Sequence, residues 1–199
     1  MTSNSFSSAT TGWVALIAGL VCVLAIILIA LFFTLGQPFG TLNDLANGLA
    51  GILCGLLAWV LYAQHPSRSA LPGQFALMLA LIGVLLVLAG TVLVVSNVMG
   101  AVQAGWYTAS GNALIGVWLA AFGYSALRTA LLPANLSLFG TVVGLLMAVG
   151  LVAFAGIVAG TDTMTNLPWY LNLAFVGVLG TYVLFPVWAI WLGRHLLRG

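Results

Sequence analysis

Residues 12–34 read GWVALIAGLVCVLAIILIALFFT, a stretch without a single charged side chain. A run of that length is what a helix needs to cross a hydrocarbon layer about 30 Å thick. Five further stretches answer the same description, over 42–64, 73–97, 105–127, 134–160 and 168–193. The composition agrees: of 199 residues 63% are hydrophobic and only 3% charged, the charges being four Arg and two Asp with no Lys or Glu. Soluble domains carry about 25% charged residues, so this chain is built for lipid. The fold expected is all-α: a polytopic membrane protein of six transmembrane helices, read as three tandem helical hairpins. A cytoplasmic N-terminal tail (1–11), a six-helix transmembrane domain (12–193) and a short cytoplasmic C-terminal tail (194–199) divide the chain.

The few charges set an orientation. Arg68 follows span two, Arg128 span four, and Arg194 and Arg198 span six, so with six spans all four share the side of the N-terminus. Asp44 and Asp162 fall at the other side. The positive-inside rule then puts both termini in the cytoplasm. Trp106-Tyr107 and Trp169-Tyr170 are expected at the outer interface, and Trp13, Trp59, Trp188 and Trp191 nearer the inner one. Punctuation fits the spans: Gly36-Gln37-Pro38 breaks the first from the second, while Pro72, Pro133 and Pro168 suit helix starts. Pro186 lies within span six and should kink it near Tyr182, whose carbonyl loses its donor.

A period runs through the chain. Gly19, Gly83 and Gly144 lie in spans one, three and five, and Asn47, Asn112 and Asn172 follow them after 28, 29 and 28 residues. One hairpin used three times gives such spacing, and so do similar loop lengths without any repeat. Lipid provides no hydrophobic drive between helices, so close packing relies on small residues. Stripes of them occur on span two (Asn43, Asn47, Gly51, Gly55), span four (Asn112, Gly116, Ala120) and span five (Gly140, Gly144, Ala148). They mark packing faces, within the chain or toward another subunit.

No ionisable side chain sits mid-span, which speaks against proton pumping and ion-coupled transport. The chain has no lysine for a retinal Schiff base, and its His and Asp residues lie at opposite membrane faces, too far apart for a hydrolytic triad. No enzymatic constellation is expected. His65 and His195 follow spans two and six on one side, where haem or a chlorin is conceivable as a cofactor. The plainer reading is two interfacial histidines, one before a proline and one between arginines, with no cofactor at all. Cys22 and Cys54 read as small buried thiols.

The asparagines point furthest toward function. Asn43, Asn47, Asn112 and Asn172, with Asp44, should gather in the outer third of the bundle, near Ser110 and Thr161-Asp162-Thr163. Polar groups in that setting need partners, so they could line an outward-facing pocket for a small neutral or lipidic molecule. The competing reading is inter-helix hydrogen bonding, with Asp44 and Asp162 capping helix starts.

Gly116-Val117-Trp118-Leu119 through Gly123-Tyr124, then Leu132-Pro133 and Gly144-Leu145-Leu146, resembles a bacterial family of small multi-span membrane proteins with no assigned function. The resemblance covers spans four and five. It implies a multi-pass protein of the bacterial inner membrane and brings no catalytic residues with it.

Three roles remain open to such a sequence. The first is a non-enzymatic scaffold or accessory subunit, whose partners are the lipid bilayer, other membrane subunits or further copies of itself, and not nucleic acid. The second is binding or transport through the Asn-rich pocket. The third is a pigment carrier through the two histidines.

Overall fold

The computed structural model describes residues 7–64 and 71–198, and these are helical without strands. Six helices are long and apolar enough to cross a membrane: α1 (Ser8–Leu35), α2 (Phe39–Gln64), α3 (Leu71–Val95), α4 (Ala101–Thr129), α5 (Ala134–Val158) and α6 (Trp169–Arg198). The chain is thus a multi-pass membrane protein. Of the residues singled out in the sequence, His65 and Arg68 lie outside the described residues, as do positions 1–6 of the expected tail.

Several helix ends differ from the expectation, each for a local reason. α1 begins within the presumed tail because the Ser7 hydroxyl accepts from the Thr10 N–H at 3.1 Å and caps the helix. α2 begins three residues early, since the Gln37 side chain accepts from the Thr41 N–H at 3.3 Å and closes its first turn. α6 continues to Arg198, so most of the expected C-terminal tail is helix.

The three hairpins close into a ring in chain order, α6 returning onto α1. Glycine makes the seams. A Cβ on Gly83 would stand 2.5 Å from the Gly111 carbonyl oxygen, and one on Gly111 would collide with the Gly83 carbonyl, so α3 and α4 touch backbone to backbone. Gly144 lies equally close against Gly116 and Ala120 of α4, and Gly193 of α6 against Gly12 of α1. On α2, Gly48, Gly51 and Gly55 receive Thr91, Val87 and Val84 of α3. The small-residue stripes are therefore used within the chain.

Two helices are irregular. α5 tightens into a 3₁₀ turn at Val149–Val152, where Gly150 meets Gly177 of α6. α6 starts as a 3₁₀ turn (Trp169–Leu173) and widens into a π turn at Gly180–Leu184, just before Pro186. The kink foreseen near Tyr182 is this π turn: longer-range bonds re-engage carbonyls that proline leaves without a donor. Its consequence is large. α1 packs on Phe185–Arg198 of α6, through Gly12, Gly19 and Ile190, whereas Trp169–Leu179 leans onto α4 and α5.

The half of the bundle that holds the termini is packed with aromatic rings. Trp118 stacks on Phe122 with ring centroids 5.6 Å apart, and Phe185 packs on Trp188 at 5.9 Å. Two of the expected interfacial tryptophans are in fact core. Trp188 is 1% exposed and donates to the Leu136 carbonyl at 3.3 Å, and Trp106 is 4% exposed. Both face glycines, Gly140 and Gly156, whose missing side chains make room for an indole. Trp13, Trp59, Trp169 and Trp191 do remain exposed.

A matched pair of substitutions on α4 tests the seam. Gly105 has open space where its Cβ would lie, unlike Gly111. Gly111→Ala is expected to cost about 1–3 kcal/mol through overpacking. Gly105→Ala should be neutral or gain up to about 1 kcal/mol of helix propensity. Unfolding titrations in mixed micelles compare the two, and equal midpoints would contradict backbone contact at this seam.

Candidate functional site

The end of the ring away from the termini is not filled. A half-open cavity of about 460 Å³ lies there, among α1, α2, α3, α4 and α6. Its walls are mostly apolar: Ile26 and Ile29 from α1, Val94 from α3, Val102 and Ala109 from α4, Phe175 and Val178 from α6. The polar groups come from one turn and a half of α2, opposed by α4 and α6. Asn43, Asp44 and Asn47 line the cavity together with Asn112, Thr181 and Tyr182.

The α2 residues reach this position because Gln37 closes the helix early. Asp44 consequently sits beyond the first turn and does not cap α2, contrary to the sequence expectation. It is half-buried, and its main-chain carbonyl accepts from the Thr91 hydroxyl at 3.3 Å. Asn47 Oδ1 accepts from the Tyr182 hydroxyl at 2.9 Å, joining α2 to the π turn of α6. Asn43 is 7% exposed, and its Oδ1 has no hydrogen-bond partner. A buried carbonyl oxygen left in that state is costly, by about 1–3 kcal/mol.

The hydroxyls around the cavity spend their protons locally. Thr108 donates to the Ala104 carbonyl at 3.5 Å and Thr181 to the Gly177 carbonyl at 3.0 Å. With Thr91 and Tyr182 also committed, the asparagine amides are the side-chain groups left to donate. The acidic lining group is the Asp44 carboxyl group, and among the described residues no Arg, Lys or His lines the cavity.

Beneath the cavity a void of about 10 Å³, roughly the space of one water, is bounded by Cys22, Cys54, Asn47, Asn112 and Tyr182. Both cysteines are buried free thiols. Above it, the Trp106 indole donates to the Thr161 carbonyl at 2.9 Å and holds the α5–α6 connection, from which Met164 reaches the cavity.

The structure thus unites four of the five polar residues picked from the sequence and leaves one out. Asn172 is exposed and does not line the cavity, because α6 opens with a 3₁₀ turn that turns this position outward. Asp162 is exposed in the connection and caps no helix, since α6 begins only at Trp169. Ser110 is buried on α4 away from the cavity, its hydroxyl also without a partner. His195 is exposed at the opposite end, and its proposed companion His65 lies outside the described residues. Among the described residues no three His, Cys, Asp or Glu side chains converge on a metal position.

Thr91, Trp106 and Tyr182 belong to the site without having been chosen from the sequence. Tyr182 carried a signal: it stands four residues before Pro186, where the backbone must deviate. Thr91 carried another, a lone hydroxyl in register with Val84 and Val87 on the face that meets α2. Comparisons with protein families, curated proteins and solved structures find no match for the chain.

Tyr182→Phe isolates the α2–α6 bond. Inter-helix hydrogen bonds in membranes average about 0.6 kcal/mol, so a loss of about that size is expected in an unfolding titration. A loss above about 2 kcal/mol would show that the hydroxyl has a larger role than tying Tyr182 to Asn47.

Proposed function

We propose that this protein is a non-enzymatic membrane receptor or carrier that holds a small amphipathic molecule in the cavity formed by α1, α2, α3, α4 and α6. The observation that carries this reading is a cavity of about 460 Å³ with apolar walls and one polar end lined by Asn43, Asp44, Asn47 and Asn112. A volume of that size is typical of a pocket for one small ligand, with apolar walls and a few polar groups to orient it. The scaffold role had its motive in the small-residue stripes. Those stripes are used up inside the ring, so the cavity offers the stronger argument.

Orientation follows the charges. Arg128, Arg194 and Arg198 stand at the end of the bundle that holds the termini, and Asp44 and Asp162 at the other. By the positive-inside rule the termini are cytoplasmic and the cavity belongs to the outer half of the membrane. The resemblance of spans four and five supports a bacterial inner membrane.

Two measurements check these statements. Gly105 lines the cavity with free space beside it, so Gly105→Trp should fill the pocket without disturbing a seam. Native mass spectrometry of protein released from its own membranes should show a bound small molecule on the wild type and on Gly105→Ala, but not on Gly105→Trp. The same adduct on all three would remove the cavity from the function. For orientation, a C-terminal green fluorescent protein fusion should fluoresce and a C-terminal alkaline phosphatase fusion should be inactive; the reverse pattern would invert the topology.

A further inference from the structure

We infer that the ligand is a single-chain amphiphile with a hydrogen-bond-donating head group free of negative charge, and that it enters sideways from the bilayer between α1 and α6. This rests on the binding role proposed above and adds the route and the chemical class.

The route comes from the last helix. α1 and α6 are locked together where Gly12 meets Gly193 and Gly19 meets Pro186 and Ile190. Beyond Pro186 the π turn carries Trp169–Leu179 onto α4 and α5, and α1 does not follow. The two helices then face each other across the cavity. Ile26 and Ile29 line it from α1, and Phe175 and Val178 from α6. Phe175 is 50% exposed and Val178 36%, so neither side chain is covered by a neighbouring helix. A seam of four apolar side chains at membrane depth admits a hydrocarbon chain. It offers nothing to a molecule that must keep its water.

The class comes from the polar end. Asp44 contributes a carboxyl group, and the Thr91, Thr108, Thr181 and Tyr182 hydroxyls have given their protons away, so the asparagine amides are the lining side-chain donors and none of them is bonded to the Asp44 carboxyl group. The head group that completes this set donates through O–H or N–H. An anionic head would meet Asp44 with no lining cation among the described residues to offset it. The volume accommodates one chain and a small head, not a two-chain phospholipid.

The experiment uses three probes of equal chain length, each with a terminal diazirine: dodecanol, dodecylammonium and dodecanoate. Full-length protein in phosphatidylcholine nanodiscs is irradiated with each, and labelled peptides are mapped by mass spectrometry. The hydroxyl and ammonium probes should label α1 around Ile26–Ile29 and α6 around Phe175–Val178 at least ten-fold more than the carboxylate probe. Asp44→Asn should remove most of that head-group preference while chain labelling of the same peptides persists. Ile29→Trp, at the seam, should slow labelling several-fold with the preference intact. Equal labelling by all three probes would overturn the ligand class while leaving a binding cavity. Labelling that Ile29→Trp does not slow would overturn the lateral route. Absence of cavity labelling by every probe, together with loss of the native adduct in Gly105→Trp, would overturn the amphiphile assignment and retain the site. Absence of both would overturn the site itself.

Discussion

Everything in this ring depends on one steric permission: backbones may touch where glycine stands. A soluble bundle is pressed together by water, but hydrocarbon is as good a neighbour for leucine as another leucine is. What remains is dispersion between closely fitted surfaces and hydrogen bonds that lipid cannot offer. At Gly83 and Gly111 the helices approach until each carbonyl occupies the place of the other's side chain. The same permission at Gly116–Gly144 and Gly12–Gly193 carries the contact around the ring. Leucine, isoleucine and phenylalanine are left on the outside, where half or more of their surface is available to lipid at Leu20, Ile27 and Phe33.

A ring packed this closely all the way through would be solid. Its large aromatic side chains Trp118, Phe122, Phe185 and Trp188 pack one half. The other half opens because α6 cannot continue straight through Pro186. Proline removes one donor, the chain answers with a π turn, and the change of direction parts α6 from α1. The cavity is therefore a product of helix geometry, and the polar residues decorate a space that the kink creates. Tyr182, inside the π turn, spans the gap to Asn47 and fixes how far the two sides separate.

The spans were legible in the sequence because membrane thickness dictates a run length, and the charge placement followed from the same spans. Much of the site was legible too. Asn43, Asp44, Asn47 and Asn112 could be placed at one end of the bundle by counting from the turns. Asn172 could not be separated from them, since nothing in its neighbourhood announces that Trp169–Leu173 winds as a 3₁₀ turn and rotates it outward. Asp44 differs from its expected role for a related reason: a carboxylate near a helix start suggests a cap, but Gln37 performs that task five residues before the expected boundary. Trp106 and Trp188 look like interfacial residues until Gly156 and Gly140 are seen to receive them. In each case the deciding contact comes from another helix, and pattern along one helix does not carry it.

The scarcity of charge acquires a sharper meaning from the structure. A buried carboxyl group in a membrane protein usually marks a site, because the cost of placing it there is borne only where something is gained. Asp44 could have been explained as a cap, which would have made it structural. With that role filled by Gln37, and with the neighbouring hydroxyls already engaged, Asp44 lines the cavity as its acidic group, with Asn43 beside it. Folding alone would be served better by leucine at both positions, since neither contributes a side-chain bond that holds two helices together. The ligand proposed above, which brings its own donor, would give an acidic group at the wall of this cavity a partner that the fold does not provide.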